Sequence, residues 1–136
     1  EAHTGRTAEI IHLADVCAAV SGSVGLELLH HGTPTVVVYR VNPLYRWISR
    51  RALRIPHISL VNLLAGRELF PEFLTSGDPS EAVAAQLLRW LTDAAAAGRV
   101  RADLAELRER VGRPGACRRA AEAIVEIAGR KQKAAA

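Results

Sequence analysis

Short apolar runs and amphipathic stretches alternate along the first half of the chain. The segment Thr35-Val36-Val37-Val38-Tyr39 is the clearest near-continuous apolar run, which is typical of a strand covered on both faces. Between such runs, apolar residues recur every three or four positions, the spacing of a helix with one buried face. The predicted elements are a helix over 6–13, a strand over 16–20, a helix over 24–31, a strand over 35–39, a helix over 44–53 and a strand over 57–60. Helices that alternate with strands through short links predict an α/β fold with a parallel sheet.

The second half of the chain shows helical spacing without intervening strands. Asp78 is suited to cap a helix, Pro79 fits the first helical position, and Glu81 follows the cap by three residues. The predicted helices cover 78–97, where Gly98 ends the first, then 101–111 and 116–128. We therefore divide the chain into an α/β part, 1–77, and C-terminal helices, 78–136, which pack on the same sheet or on a partner.

Composition narrows the class of protein. The 136 residues suffice for one domain, and a hydrophobic fraction of 49% supplies a core. No apolar stretch approaches the length of about 18 residues that a membrane span needs, and no secretory signal is visible. Because the chain contains no Met, even at position 1, we expect a piece of a longer chain or a processed one. The net charge of +4, carried by arginine, suits an anionic partner.

The cysteines and histidines do not show the spacing of a metal site. Cys17 and Cys117 lie far apart in the chain, and we expect free thiols in a reducing compartment rather than a disulfide or metal ligands. The five histidines offer no ligand spacing, and no Ser-His-Asp set can be argued. The sequence therefore predicts neither a metal nor another cofactor.

The segment Ser21-Gly22-Ser23 stands between a predicted strand and a predicted helix. In parallel α/β sheets this edge is where ligands bind, and a helix N-terminus offers unpaired N–H groups that favour phosphate. Gly22 lets the backbone approach a ligand closely, and the two serine hydroxyls are additional donors. The segment is a candidate phosphate site, with an ordinary capped turn as the alternative.

Glu27 lies one helical turn after Ser23, on the same face of the predicted helix. It does not fit a capping box, in which the acid follows the cap by three residues. Because helical side chains lean toward the N-terminus, its carboxylate is expected near the turn, where it can accept hydrogen bonds from sugar hydroxyls. Diphosphate at the turn and ribose on Glu27 would suit a nucleotide, and an exposed surface glutamate is the alternative.

These residues carry a resemblance to the lipid-A-disaccharide synthases, which extends over about 5–128. The matching segments are Ser21-Gly22-Ser23, Leu26-Glu27, Gly32-Thr33-Pro34, Tyr39-Arg40-Val41, Pro43, Ile58-Ser59-Leu60 and Asn62-Leu63-Leu64-Ala65-Gly66-Arg67-Glu68-Leu69. The last of these is the most specific. The chain departs from the family pattern at Ser23, where threonine is usual, and at Val61, where proline is common.

The resemblance implies one half of a two-lobed, GT-B-type glycosyltransferase: a Rossmann-like lobe with a parallel sheet flanked by helices and a helical C-terminal segment. The family joins UDP-2,3-diacylglucosamine to 2,3-diacylglucosamine 1-phosphate (lipid X) and releases UDP, with inversion and without a metal. This chain would be the lobe that binds the UDP donor. The acceptor lobe and the general base would lie upstream, so the fragment alone is expected to be inactive.

The resemblance also implies a location and partners. The family acts at the cytoplasmic face of the inner membrane of Gram-negative-type bacteria, and its exchange of C-terminal segments makes a homodimer an expected partner. Arg46, Arg50 and Arg54 recur every four residues on one helix stripe near Trp47, which fits contact with an anionic membrane surface. A solvated helix face is the alternative.

Three further candidate site residues and one backbone segment complete the expected site. Asn62 matches a residue that the family needs for activity, and its amide can both donate and accept hydrogen bonds. It is the candidate catalytic residue, with a turn-forming asparagine as the alternative. The backbone of Ala65-Gly66 is expected to meet the diphosphate, with charge from Arg67 unless that side chain is only solvated. Arg40 follows a strand at the ligand edge and suits a phosphate, or else a structural ion pair.

Two other classes of protein stay open at this point. Other UDP-sugar enzymes of the same architecture, such as a peptidoglycan N-acetylglucosaminyl transferase or a UDP-GlcNAc epimerase, share the turn and the acid. They are not expected to carry the segment from Asn62 to Leu69. A basic nucleic-acid-binding module would need aromatic platforms among the arginines. Aromatic residues make up only 4% of the chain, so we expect no nucleic-acid partner.

Overall fold

A computed structural model describes residues 1–20, 22–42, 57–112 and 114–134. Its elements are α1 (Thr7–Leu13), β1 (Cys17–Ala19), α2 (Val24–His31), β2 (Thr35–Arg40), α3 (Leu60–Ala65), β3 (Glu72–Thr75), α4 (Ser80–Thr92), α5 (Ala94–Val111) and α6 (Ala116–Ala134). The helix predicted over 44–53, with its arginine stripe, lies outside the described residues.

The three strands form one parallel sheet in the order β1-β2-β3. Ala19 of β1 pairs with Val37 of β2, and Val37 pairs in turn with Glu72 of β3. Since the strands are parallel, their carboxyl ends lie at one edge of the sheet, where ligands bind in folds of this kind. The α/β fold with a parallel sheet, predicted from the alternation of elements, is confirmed.

Helices cover both faces of the sheet. On one face, Val37 and the partly buried Ala19 pack with α1, α2, α3 and the second half of α5. On the other face, Val36 packs with α4 and the start of α5. The other buried apolar members of the two clusters are Ile11, Leu28, Leu29, Val61, Leu69, Phe70, Leu104 and Leu107 on the first face, and Trp90, Ala96 and Ala97 on the second. Cover on both sides is the reason why β2 is an almost unbroken apolar run.

The strand predicted over 57–60 is wrong. Residues 57–59 belong to no strand, and α3 begins at Leu60. The Ser59 hydroxyl accepts a hydrogen bond from the Asn62 N–H at 3.3 Å, so Ser59 acts as the N-cap of a helix. The third strand is β3 instead, whose four residues are all only half-buried. A short strand without an apolar run leaves a weak pattern in the sequence.

The helix end predicted at Gly98 is also wrong. The break falls at Asp93, whose side chain accepts a hydrogen bond from the Ala96 N–H at 2.9 Å and starts α5. Gly98 lies inside α5, which ends at Gly112 as predicted. An interior glycine costs a helix only about 1 kcal/mol relative to alanine, which the packing of α5 on both core clusters offsets.

The last helix, α6, runs from Ala116 to Ala134, beyond its predicted end at residue 128. Its side chains are exposed as far as residue 128, including the apolar Ile124 and Ile127. Within the described parts of the chain, no helix has the length and apolarity that a membrane span needs.

Candidate functional site

A cleft lies between the end of β1 and the starts of α2 and α3, and it extends along the sheet to Thr35 and Phe70. It is shallow, with an enclosed volume of only about 10 Å³, and its lining includes Gly22, Gly25, Ser59 and Val61. A Cβ placed on Gly25 would lie 3.7 Å from the Val61 Cγ2, so α2 and α3 are in close contact here. Two helix N-termini, the ends that carry partial positive charge, therefore border one cleft.

Several backbone N–H groups at the start of α2 have no acceptor among the described residues. Its N-cap, Ser23, makes no capping hydrogen bond through its side chain. The Gly25 N–H bonds to the Gly22 carbonyl at 3.2 Å, and the Leu26 N–H bonds to the Ser23 carbonyl at 3.0 Å. Within the described residues, the N–H groups of Gly22, Ser23 and Val24 have no acceptor. The expected role of Ser21 concerns a residue outside the described part of the chain.

Glu27 lies in the first turn of α2 with its side chain exposed. Its carboxylate has no hydrogen-bond or ion-pair partner among the described residues, so its oxygens are available to a ligand. It is not among the described residues that line the cleft. The ribose contact expected of Glu27 stays a prediction.

Asn62 is completely buried, and its amide is saturated by the protein itself. Its Oδ1 accepts hydrogen bonds from the Leu69 N–H at 2.8 Å and the Phe70 N–H at 2.9 Å. Its Nδ2 donates to the Phe70 carbonyl at 2.7 Å and to Glu72 Oε1 at 2.9 Å. The side chain ties α3 to the segment that enters β3, which is not the open cleft position expected from the sequence.

Glu72 is the acid that completes this network. Its carboxylate accepts hydrogen bonds from the Ser59 N–H at 2.7 Å and the Ile58 N–H at 2.9 Å, in addition to the Asn62 amide. Partial burial raises the pKa of Glu72, but the hydrogen bonds from Ser59, Ile58 and Asn62 outweigh it and hold this pKa below its ordinary value of 4.5. An ionised carboxylate therefore braces the start of α3.

Glu72 was not singled out from the sequence, although it follows the most specific motif by only three residues. An acid at the start of a half-buried strand looks like a solvent-facing residue. Its partners Ile58 and Ser59 lie 14 and 13 residues away, across a helix. The available signal was the acid directly after Pro71, at a position where the chain enters the sheet.

Ala65, Gly66 and Arg67 lie at the opposite end of α3 from the cleft. Gly66 is the C-cap with a φ of 69°, and its N–H is already bonded to the Asn62 carbonyl at 2.9 Å. A helix C-terminus carries partial negative charge, which disfavours phosphate. The expectation that this turn presents N–H groups to the diphosphate of a ligand in the cleft is therefore corrected.

Arg67 makes a structural ion pair. Its guanidinium lies 2.9 Å from Asp103 Oδ1 on α5 and also bonds to Oδ2 at 3.2 Å. The side-chain hydrogen bond with Asp103 raises the pKa of Arg67 and lowers that of Asp103. The pair fastens the end of α3 to α5, whereas a solvated side chain was the alternative expected from the sequence.

Arg40 lies at the carboxyl end of β2, as expected, and is exposed. It borders an open groove of about 440 Å³ together with Thr75 and Asp78. The Ser80 hydroxyl and N–H bond to Asp78 and hold its pKa below the usual range, with a smaller contribution from the Arg40 charge. No carboxylate in the described residues forms an ion pair with Arg40, so its guanidinium is available to an anion at the ligand edge.

The described residues contain no group of three His, Cys, Asp or Glu side chains placed to hold a metal ion. Cys17 and Cys117 are both free thiols, the first half-buried and the second exposed. Burial raises the pKa of the Cys17 thiol, which disfavours its reactive thiolate form.

Comparison with known proteins gives one consistent result. The sequence model of the family described as Lipid-A-disaccharide synthetase matches residues 2–127. The chain is 35% identical over 124 residues to a lipid-A-disaccharide synthase of Geobacter metallireducens, which covers 91% of this chain and 32% of the relative. It is 37% identical over 123 residues to that of Myxococcus xanthus, with 90% and 32% covered. It is 36% identical over 132 residues to that of Synechocystis sp., with 96% and 34% covered.

The chain therefore spans about a third of the length of the curated relatives it matches. No solved structure matches it significantly. The alternatives of another UDP-sugar enzyme and of a nucleic-acid module are not favoured by these comparisons. With a match over almost its whole length and relatives that agree in name, this chain belongs to the lipid-A-disaccharide synthetase family.

Proposed function

We propose that these residues form the donor-binding lobe of a lipid-A-disaccharide synthase, which transfers a diacylglucosamine residue from UDP to 2,3-diacylglucosamine 1-phosphate. The observation that carries the proposal is the start of α2. It lies at the carboxyl edge of a parallel sheet, beside an open cleft, with backbone donors that the described residues leave without acceptors. Membership of the family supplies the reaction class.

The N-terminus of α2 would hold the diphosphate. Its free N–H groups and partial positive charge suit an anion, and Gly22 leaves room for close approach. Glu27, one turn further along α2, would accept hydrogen bonds from the ribose hydroxyls. Arg40 would add positive charge at the same edge of the sheet. Ser21 and Ser23 are proposed as hydroxyl donors on either side of Gly22.

The reaction forms a bond between the acceptor hydroxyl oxygen and the anomeric carbon, and it breaks the bond from that carbon to the β-phosphate oxygen. The acceptor proton passes to a base that we assign to none of these residues. UDP leaves with increased negative charge on its β-phosphate, which the α2 N-terminus would stabilise. We propose an inverting transfer without a metal or other cofactor, since backbone donors and Arg40 can provide this charge stabilisation.

We propose the location and the partners of the protein from its family membership. The acylated acceptor places the reaction at a membrane surface, which we propose to be the cytoplasmic face of the inner membrane of a Gram-negative-type bacterium. Contact of the arginine-rich segment 44–54 with anionic lipid, and dimerisation through the C-terminal helices, are further parts of this proposal. The exposed apolar residues of α6 are compatible with an interface.

Titration of UDP into the protein at its natural length tests the nucleotide site. We expect UDP to raise the melting temperature and an oligonucleotide to leave it unchanged. Glu27→Ala should weaken UDP binding at least tenfold, because a carboxylate that accepts ribose hydroxyls is worth about 1.4 kcal/mol or more. The matched control is Glu109→Ala, an exposed glutamate of α5. Equal UDP affinity of the Glu27 variant and the parent would remove the ribose assignment.

An assay of disaccharide formation tests the reaction itself. The protein at its natural length is expected to convert the two substrates to disaccharide 1-phosphate and UDP. The 136 residues alone are expected to form no disaccharide, because no residue among them is assigned as the base. Disaccharide formation by the 136 residues alone would overturn the proposal that the base lies outside them.

A further inference from the structure

The start of α3 is held in place by side chains from outside the helix. Glu72, at the first position of β3, accepts the N–H groups of Ile58 and Ser59, and the Ser59 hydroxyl caps the helix at Asn62. Asn62 in turn donates to Glu72 Oε1 at 2.9 Å. The three side chains form a closed network around the first turn of α3.

This network lies directly behind the cleft. Ser59, Leu60 and Val61 belong to the cleft lining, whereas Asn62 and Glu72 do not. Val61 is also the residue that a Cβ on Gly25 of α2 would contact at 3.7 Å. A shift in the first turn of α3 would therefore move one wall of the cleft against the start of α2.

We propose that Glu72 is a positioning residue: held by Asn62, its carboxylate fixes the first turn of α3 against the start of α2 and so sets the shape of the cleft that binds the nucleotide. The proposal rests on the proposed function, because it takes the occupant of the cleft to be the uridine nucleotide. It assigns Asn62 to the same role, as the partner that orients Glu72.

The hydrogen-bond inventory favours positioning over substrate contact. An asparagine amide offers two donors and an oxygen with two lone pairs, and Asn62 uses all four on Leu69, Phe70 and Glu72. With the side chain fully buried, a substrate group would have to displace one of these bonds. Glu72 Oε1 likewise already receives the Ser59 N–H and the Asn62 amide.

The first experiment measures backbone exchange and UDP affinity in Glu72→Gln, in the protein at its natural length. We expect faster amide hydrogen exchange at 58–61 and about fivefold weaker UDP binding, measured well below the melting temperature. Glu109→Gln, on the exposed face of α5, is the matched control and should change neither. Unchanged exchange at 58–61, or UDP affinity equal to the parent, would overturn the proposal.

A second variant, measured in the same way, separates positioning from direct contact. Asn62→Asp replaces the Nδ2 donor with an oxygen that faces the Phe70 carbonyl and Glu72 Oε1, and we expect at least twentyfold weaker UDP binding together with faster exchange at 58–61. Weaker UDP binding with the parent's exchange rates at 58–61 would show that Asn62 acts on the ligand directly.

The two proposals fail in different ways. If the parent protein binds no UDP, the proposed function falls, and positioning is then decided by exchange at 58–61 in Glu72→Gln alone. If the parent binds UDP and Glu72→Gln binds it equally well, the nucleotide site stands and the positioning role is rejected.

Discussion

The starts of α2 and α3 border the same cleft but are built in contrasting ways. At α3, Ser59 caps the helix and Glu72 accepts the two preceding N–H groups. At α2, the N-cap Ser23 makes no side-chain capping bond, and no described residue accepts the N–H groups of 22–24. One helix start is closed by the protein, and the other is left open beside solvent.

The two helix starts therefore serve different purposes: one stabilises the fold, and the other is available for binding. N–H groups at a helix start have no partner inside the helix. At α3 the protein accepts those of Ile58, Ser59 and Asn62. At α2 those of 22–24 have no acceptor among the described residues, so a ligand can bind them. The closed start of α3 stabilises the fold and fixes one wall of the cleft. The open start of α2 has unbonded N–H groups that can bind an anion.

Removal of the Asn62 amide should destabilise the protein most. Asn62→Ala leaves the Leu69 and Phe70 N–H groups and the Phe70 carbonyl buried without partners. We expect a loss of about 3 kcal/mol in the free energy of unfolding, measured by urea denaturation. A loss below about 1 kcal/mol would mean that the closed start of α3 is not held by this network.

The contribution of Glu72 should depend on pH in a defined direction. Partial burial raises its pKa, but the hydrogen bonds from Ser59, Ile58 and Asn62 bring the folded-state pKa below the ordinary value of 4.5. The ionised form is thus favoured by folding, so its stabilisation is fully present above that value and is lost as the pH falls through the folded-state pKa.

We therefore expect Glu72→Gln to cost about 1.5 kcal/mol at neutral pH, the value of hydrogen bonds to a charged group. The difference in unfolding free energy between parent and variant should shrink below pH 4.5. Urea denaturation at a series of pH values measures it. A difference that stays constant down to the lowest pH at which the parent is folded would contradict the ionised brace.

Two serines at the two helix starts provide a matched pair. Ser59→Ala removes a capping bond and should cost about 1 kcal/mol. Ser23→Ala removes no capping bond and should change the unfolding free energy by less than about 0.5 kcal/mol. Thermal or urea unfolding of both variants makes the comparison, and equal losses would erase the distinction between a closed and an open start.

The ion pair at the far end of α3 should matter least. Arg67 and Asp103 are both partly exposed, so Asp103→Asn is expected to cost no more than about 0.5 kcal/mol. UDP affinity should be unaffected by Arg67→Ala, because the pair lies at the opposite end of α3 from the cleft. Weaker UDP binding in Arg67→Ala but not in Asp103→Asn would restore the phosphate role expected from the sequence.

Strongly patterned elements were predictable from the sequence, and weakly patterned ones were not. The bounds of α2 and β2 were predicted almost to the residue. The amphipathic pattern of α2 ends at Gly32, and β2 is an apolar run, so in both elements the pattern of apolar residues follows burial directly. The half-buried β3 was missed, and the strand expected at 57–60 proved to be the entry to a helix. Ser59 is the reason, since its capping bond depends on the position of Asn62 three residues later.

The residues of the candidate site also differ in how far the sequence predicts them. The turn at Gly22, the open acid at Glu27 and the arginine at the end of β2 follow from local order along the chain, and the structure puts Gly22 and Arg40 at the carboxyl edge expected of them. The roles of Asn62 and Arg67 depend on partners far away in the sequence, on β3 and α5. No pattern within a single helix records such partners.

The α/β class, the parallel sheet, the family and the turn at which α2 begins follow from the sequence alone, because burial periodicity and contiguous motifs involve neighbouring residues. The closure of the α3 start by Glu72, the inward position of Asn62 and the pairing of Arg67 with Asp103 depend on the tertiary structure. These contacts join residues separated by 10 and 36 positions. Such contacts are selected by how the elements pack, and a side chain's partner is defined only when packing has brought the two together.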